Sequence, residues 1–132
     1  MVLLEDNYFL LEYYEQYNCI YYKSKGFTPS KLFRQNMEKV NEAIQAKKAN
    51  IFISDLTDAG VIAQEDQEWI ISEFIQKIIP MGITNPIAIF PTSIFGKLSA
   101  QAIQKKLQEN EGLFPMIFNS KEEAFEWIQN QN

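Results

Sequence analysis

The side chains of this 132-residue chain that could do chemistry are carboxylates, hydroxyls and one thiol, because the sequence has no histidine. Without imidazole there is no Ser–His or Cys–His nucleophile pair, and the commonest general base and metal ligand is missing. The single cysteine, Cys19, excludes an intrachain disulfide and zinc sites of the usual thiolate kind. A carboxylate-only site remains: Asp55, Asp58, Glu65 and Asp66 follow a short apolar run, and open parallel sheets bind ligands at the C-terminal edge of such strands. Each acid also has a local explanation. Asp58 suits a turn, and Glu65, Asp66 and Glu68 suit the positive end of a helix dipole. The local explanation carries more weight, so neither a catalytic residue nor a metal or cofactor site is expected.

The hydroxyls allow a second reading. Pro91-Thr-Ser-Ile-Phe-Gly-Lys-Leu-Ser99 superficially resembles a phosphate loop, but Pro91 stands where the first glycine belongs and Leu98 where the magnesium-binding hydroxyl belongs. The backbone could not wrap a phosphate there. Thr92 and Ser93 still follow an apolar run and could offer hydroxyls or amides to a small ligand; capping a helix is the simpler role. Cys19 lies in a strand-like stretch, Asn18 to Tyr22, and reads as an ordinary buried thiol.

The elements that must position these groups can be read from periodicity. Tyr8 to Tyr14 and Cys19 to Lys23 are rich in aromatic and β-branched residues and predict an antiparallel strand pair. After Gly26, Thr28 is placed to cap and Pro29 to open a helix reaching about Lys48, with Phe33, Met37, Val40 and Ile44 on one apolar face. Ile51-Phe-Ile-Ser-Asp55 predicts a buried central strand. A helix from about Ala63 to Ile79 follows, turning Trp69, Ile70, Phe74, Ile75 and Ile78 inward and ending at Pro80 and Gly82. Ile87 to Phe90 predicts another strand. The next helix is firmest from Ala100 to Gln108, with Ser99 as its cap. Phe114 to Phe118 predicts the last strand, and Ser120 with Glu123 forms a capping box at the head of a final helix.

The resulting order, β-β-α-β-α-β-α-β-α, defines an α/β fold: a mostly parallel sheet of about five strands, its N-terminal strand antiparallel, with helices packed on both faces or, less readily, one. No linker or repeat divides residues 1–132, which form one domain. Tyr13, Tyr14, Tyr17, Tyr21 and Tyr22 crowd the N-terminal pair. Neighbours along a strand point to opposite faces, so either both faces are covered or one presents tyrosines to a partner.

Composition narrows the function classes. A hydrophobic fraction of 46%, with 14% aromatic, suffices for one core. Net charge is −5, and Arg34 is the only arginine beside eleven scattered lysines, which argues against nucleic acid and against a basic membrane-surface helix. No run approaches the roughly 18 apolar residues of a membrane span. The start shows no signal-peptide pattern, and a cytoplasmic location is the expectation.

Three stretches carry a family likeness: Asn50-Ile-Phe-Ile-Ser-Asp-Leu56, Ile87-Ala-Ile-Phe-Pro91, and Phe118-Asn-Ser-Lys-Glu-Glu-Ala-Phe-Glu-Trp-Ile128. With the order of elements, they resemble the STAS domain (sulphate transporter and anti-sigma antagonist) in its SpoIIAA-like branch, which shares an architecture with CRAL-TRIO lipid-binding proteins. The resemblance implies a non-catalytic regulatory or interaction module that docks a protein partner or a copy of itself. Asp55 to Glu68 is then the first surface to consider, and the aromatic hairpin the second. The alternative it implies is a carrier of a small apolar molecule or lipid, with a pocket lined by residues such as Trp69, Phe74 and Phe95. The family's phosphorylatable serine or threonine, in D-S-S-G-like wording, is not matched. Here Asp55-Leu-Thr-Asp-Ala-Gly60 offers only Thr57, and a phosphate near Glu65, Asp66 and Glu68 would meet like charge.

Overall fold

The hairpin at the N-terminus has one strand more than its aromatic pattern suggests. In the computed structural model, which describes residues 1–83 and 86–131, Val2–Glu5 forms β1, Phe9–Tyr14 β2 and Cys19–Gly26 β3. The Asp6 carboxylate accepts the backbone N–H groups of Tyr8 at 2.7 Å and Phe9 at 3.0 Å, an Asx turn that reverses the chain between β1 and β2. A single 3-10 turn, Glu15–Tyr17, leads to Asn18 in the left-handed region, which asparagine tolerates, and on into β3.

From β3 onward helices alternate with parallel strands. α1 spans Ser30–Lys47, β4 Ile51–Ala59, β5 Ile87–Ile89 and β6 Met116–Phe118. Between β4 and β5, α2 (Gln64–Trp69) and α3 (Ile75–Ile78) join through a π-helical turn, Ile70–Phe74. Between β5 and β6, α4 (Ile94–Lys106) also ends in a π-helical turn, Leu107–Glu111. α5 (Lys121–Asn130) closes the chain. The sheet is mixed and has six strands in the order β1-β2-β3-β4-β5-β6, antiparallel among the first three and parallel among the last four.

Both faces are covered. Phe9, Leu11, Ile20, Tyr22 and Phe52 lie in one core with Phe33, Met37, Val40 and Ile44 of α1, Phe74 and Ile78 of the composite second helix, and Leu107 after α4. Cys19, Tyr21, Ile53, Ile87 and Ile89 lie in the other core with Ala124 and Ile128 of α5. Tyr21 and Tyr22 are therefore buried on opposite sides, and the tyrosine crowding is a consequence of two covered faces. Among the described residues no helix is long and apolar enough to cross a membrane.

Two helix starts differ from expectation. Pro29, extended at ψ 144, is itself the cap of α1, and no side chain caps it; the Thr28 hydroxyl is buried without a partner among the described residues. α4 begins at Ile94, earlier than its firm stretch suggested, and its cap is Ser93, whose Oγ accepts the Gly96 N–H at 3.1 Å. Ser99 lies within the helix and accepts the Ile62 N–H at 3.1 Å, tying α4 to the loop after β4. The first turn of α4 hides its helical pattern because its apolar residues face solvent. At α5 the Ser120 hydroxyl accepts the Glu123 N–H at 3.1 Å, and the Glu123 carboxylate accepts the Asn119 N–H at 3.1 Å.

Candidate functional site

β4 enters the sheet as a regular apolar strand and leaves it irregularly. Lys23 of β3 pairs with Asp55, but Lys25 pairs with Asp58, so β4 holds one extra residue around Leu56 and Thr57. Such a bulge re-aims side chains at a strand end. It lets the Asp55 carboxylate accept both the Thr57 N–H, at 3.0 Å, and the Thr57 hydroxyl. The Tyr21 phenol donates to the other carboxylate oxygen. Asp55 is 3% exposed, and its three donors come from β3 and β4 themselves.

Lys121, in the first turn of α5, closes this cluster from above. Its ammonium lies 4.5 Å from the Tyr21 ring centre, 5.5 Å from Tyr14 and 3.8 Å from the Glu12 carboxylate. Burial works against the Lys121 charge, but hydrogen bonding to Tyr14 and the charges of Glu12 and Asp55 outweigh it and raise its pKa. Burial, the Asp55 hydrogen bond and the Asp55 charge push the Tyr21 phenol far up. Burial alone pushes the Cys19 thiol to about 12, an unreactive thiol. The cluster is a saturated polar lock. Its acid already has its donors, its phenol stays protonated and its half-exposed cation lies over the rings.

The acids expected to converge do not. Asp58 is exposed and pairs with Lys23 at 3.1 Å. Asp66 is buried in the three-helix layer, where it accepts from the Ser30 hydroxyl at 2.6 Å and the Arg34 Nε at 3.0 Å. Glu65 and Glu68 are exposed at the head of α2. Thr57 is half-buried on Asp55, the exposed Thr92 donates its N–H to the Thr57 carbonyl at 3.4 Å, and Ser93 caps α4. Among the described residues no group of three or more acidic or thiol side chains could hold a metal ion. Within Asp55 to Glu68, then, Asp55 and Asp66 are internal, and only Asp58, Glu65 and Glu68 of the acids face outward.

The outward feature that sequence reasoning missed is apolar. Phe27 is 63% exposed, Val61 49%, Ile94 75%, Phe95 70% and Leu98 57%. Backbone contacts place all five at the C-terminal end of the parallel strands. The Gly60 N–H donates to the Gly26 carbonyl at 3.3 Å, which sets Val61 beside Phe27. Gly96 lies so near the end of β4 that a Cβ there would stand 2.6 Å from the Ala59 carbonyl oxygen, which brings Phe95 beside the same edge. The Ser99–Ile62 bond joins the segments holding Leu98 and Val61. Tyr8, 37% exposed, reaches this end too, its carbonyl accepting the Lys25 N–H at 2.9 Å. A usable signal was present in the sequence: Ile94-Phe95 and Leu98 flank Gly96 directly after a cap.

Inside the three-helix face is an apolar cavity of about 90 Å³. Phe52, Ser54 and Ala88 of the sheet form part of its wall, with Phe74 and Leu107 from the two π-helical turns. Of the three residues named as pocket lining, only Phe74 takes part. Trp69 packs on Phe33, with the Arg34 guanidinium 5.6 Å from its ring centre, and Phe95 faces solvent. No family model matches this chain, and no curated protein matches it.

Proposed function

We propose that this chain is a non-catalytic interaction module that docks a protein partner through the C-terminal end of its sheet. The observation that carries this reading is the gathering of Tyr8, Phe27, Val61, Ile94, Phe95 and Leu98 at one end of the molecule, each exposed. Contiguous exposed apolar side chains cost solubility and mark interaction surfaces. Glu65 and Glu68 on the same end disfavour an anionic lipid surface, which basic residues would serve better. The absence of histidine and the saturated state of Asp55 support a role without catalysis. The regulatory setting is that of the STAS-like resemblance. Affinity capture by the wild type and by Phe95→Asp tests the reading. A protein recovered in stoichiometric amount with the wild type and lost with the variant is expected; equal recovery with both counts against this surface.

The cavity favours a second reading, a carrier of a small apolar molecule. At about 90 Å³ it is smaller than the roughly 300–1,000 Å³ of ordinary ligand pockets, so an acyl chain would need the helices to part. Both helices over it carry π-helical turns, features often found at functional sites. Native mass spectrometry decides the matter: an apolar adduct lost on denaturation supports a carrier, and a clean apo mass after exposure to fatty acids ends it.

A further inference from the structure

We propose that the apolar cavity of the three-helix face is a binding site for one small, uncharged aromatic ring. It shares the cavity with the carrier reading but not the need for the helices to part. The space begins with the sheet. Tyr22, Ser54, Ala88 and Ile117 are register partners in turn across β3, β4, β5 and β6, and all four line the cavity. Partners in a parallel register project to the same face, so they form one row, large at both ends and small in the middle. The adjacent row on the α5 face is Tyr21, Ile53, Ile87 and Met116. Ser54 and Ala88 thus stand where the packed face has two isoleucines. Both keep accessible surface beneath the helices, because the void reaches down to them.

The walls select what can fill this space. Tyr22, Phe33, Phe52, Phe74 and Phe90 supply aromatic rings, which favour edge and offset contacts with a further ring. The polar side chains on the wall are Tyr22, Ser24, Ser54 and Gln104, and among the described residues no charged side chain lines it. An ionised ligand would lose its hydration and gain no counter-charge, which excludes carboxylates and amines. A neutral ring, bare or with one hydroxyl, meets no such penalty. Size points the same way. A dry apolar cavity of about 150 Å³ holds benzene. At about 90 Å³ this cavity is of the same order and takes a single ring with a small side-chain adjustment, while a second ring or a long chain has no room. Phe74 and Leu107, above the sheet, belong to the two π-helical turns, a helical irregularity frequent at functional sites.

Titration of the full chain with fluorobenzene, followed by fluorine NMR, tests the assignment. Saturable binding is expected, with a Kd near or below about 1 mM. The ring carrying a charge, para-fluorobenzoate, is expected to bind at least about tenfold more weakly. Ala88→Ile puts into this row the residue that the opposite row has at its centre. It is expected to fill the cavity, weaken fluorobenzene at least about tenfold and raise the Tm of the free protein. Ser54→Val repeats the test from the neighbouring strand, and circular dichroism checks that each variant is folded. Fluorobenzene that does not saturate overturns the site, as does binding that neither substitution weakens. Equal binding of para-fluorobenzoate overturns the uncharged class. Decanoate that displaces fluorobenzene assigns the cavity to chains, which overturns the ring and leaves the carrier reading standing.

Discussion

The two faces of the sheet are built on opposite principles, although the same strands supply both. Under α5 a single helix must cover Cys19, Tyr21, Ile53, Ile87 and Ile89, and the polar groups there are fully matched: Asp55 takes donors from Tyr21 and Thr57, while Lys121 sits over the Tyr21 ring. Under α1, α2–α3 and α4 the apolar area is larger and the fit is looser. That layer contains the cavity, and α1 buries the side chains of Asn36 and Asn41 without a hydrogen-bond partner among the described residues. A small layer has little apolar area to lose and depends on a complete polar network. A layer with many apolar contacts tolerates voids and orphaned amides because its burial outweighs them.

Alkaline titration should break the comparison most strongly. Cys19 and Tyr22 are pushed up to about 12, and Tyr21 higher still, by burial. A raised pKa means the folded state keeps a proton that the unfolded chain releases. Stability is therefore intact below the ordinary values of 9.0 and 10.0 and falls as pH rises above them. Each group contributes up to about 1.4 kcal/mol per pH unit, and the three together roughly 3 kcal/mol between pH 10 and 11, where the unfolded tyrosines are only part ionised. Two of the three lie under α5. Urea unfolding at stepped pH should show that loss, and Tyr21→Phe should make it shallower. A flat profile would mean that these side chains reach water.

Asp55→Ala comes next, with an expected cost of about 3 kcal/mol, because the buried Tyr21 phenol loses its acceptor and Lys121 loses a charge partner. A cost no larger than that of a surface substitution would mean that the lock contributes little. Gly96→Ala should cost about 2 kcal/mol, since its Cβ would meet the Ala59 carbonyl oxygen at 2.6 Å and α4 would have to lift. The smallest effect carries the opposite sign. Asn36→Leu and Asn41→Leu should each raise stability by about 1 kcal/mol by removing an unsatisfied buried amide. A destabilised variant would reveal a partner for that amide.

Much of the architecture was legible in the sequence because period and punctuation agreed. The alternation of short apolar strands with amphipathic helices gave the α/β class, the order of elements after β1 and the parallel half of the sheet. Ser120 with Glu123 marked the head of α5. β1 was missed because Val2–Glu5 is short, although Asp6-Asn7 is the turn that should have announced it. The start of α4 was missed because its first apolar residues face solvent and so break the inward period. The acids around Asp55 and Asp66 were legible as a cluster along the chain but not in space. Alternation with Ile51 and Ile53 already sets Asp55 beneath α5, but residue types cannot reveal the bulge after it that brings Thr57 onto its carboxylate, or that Arg34 and Ser30 draw Asp66 to the opposite face.

The strand order has a consequence for how the chain is made. Each strand of this sheet pairs with the one synthesised just before it, so no strand must wait for a partner that has yet to leave the ribosome. The sheet can be laid down as a growing front, with each parallel strand delivered by the helix that precedes it. Besides the constant β1 edge, only the newest edge is open at any moment, which limits the time during which nascent chains could pair with one another. The last strand laid down, Met116–Phe118, is only three residues long, and α5 follows it at once. The front thus stops on a short edge, and that side of the sheet offers little backbone to a neighbouring chain.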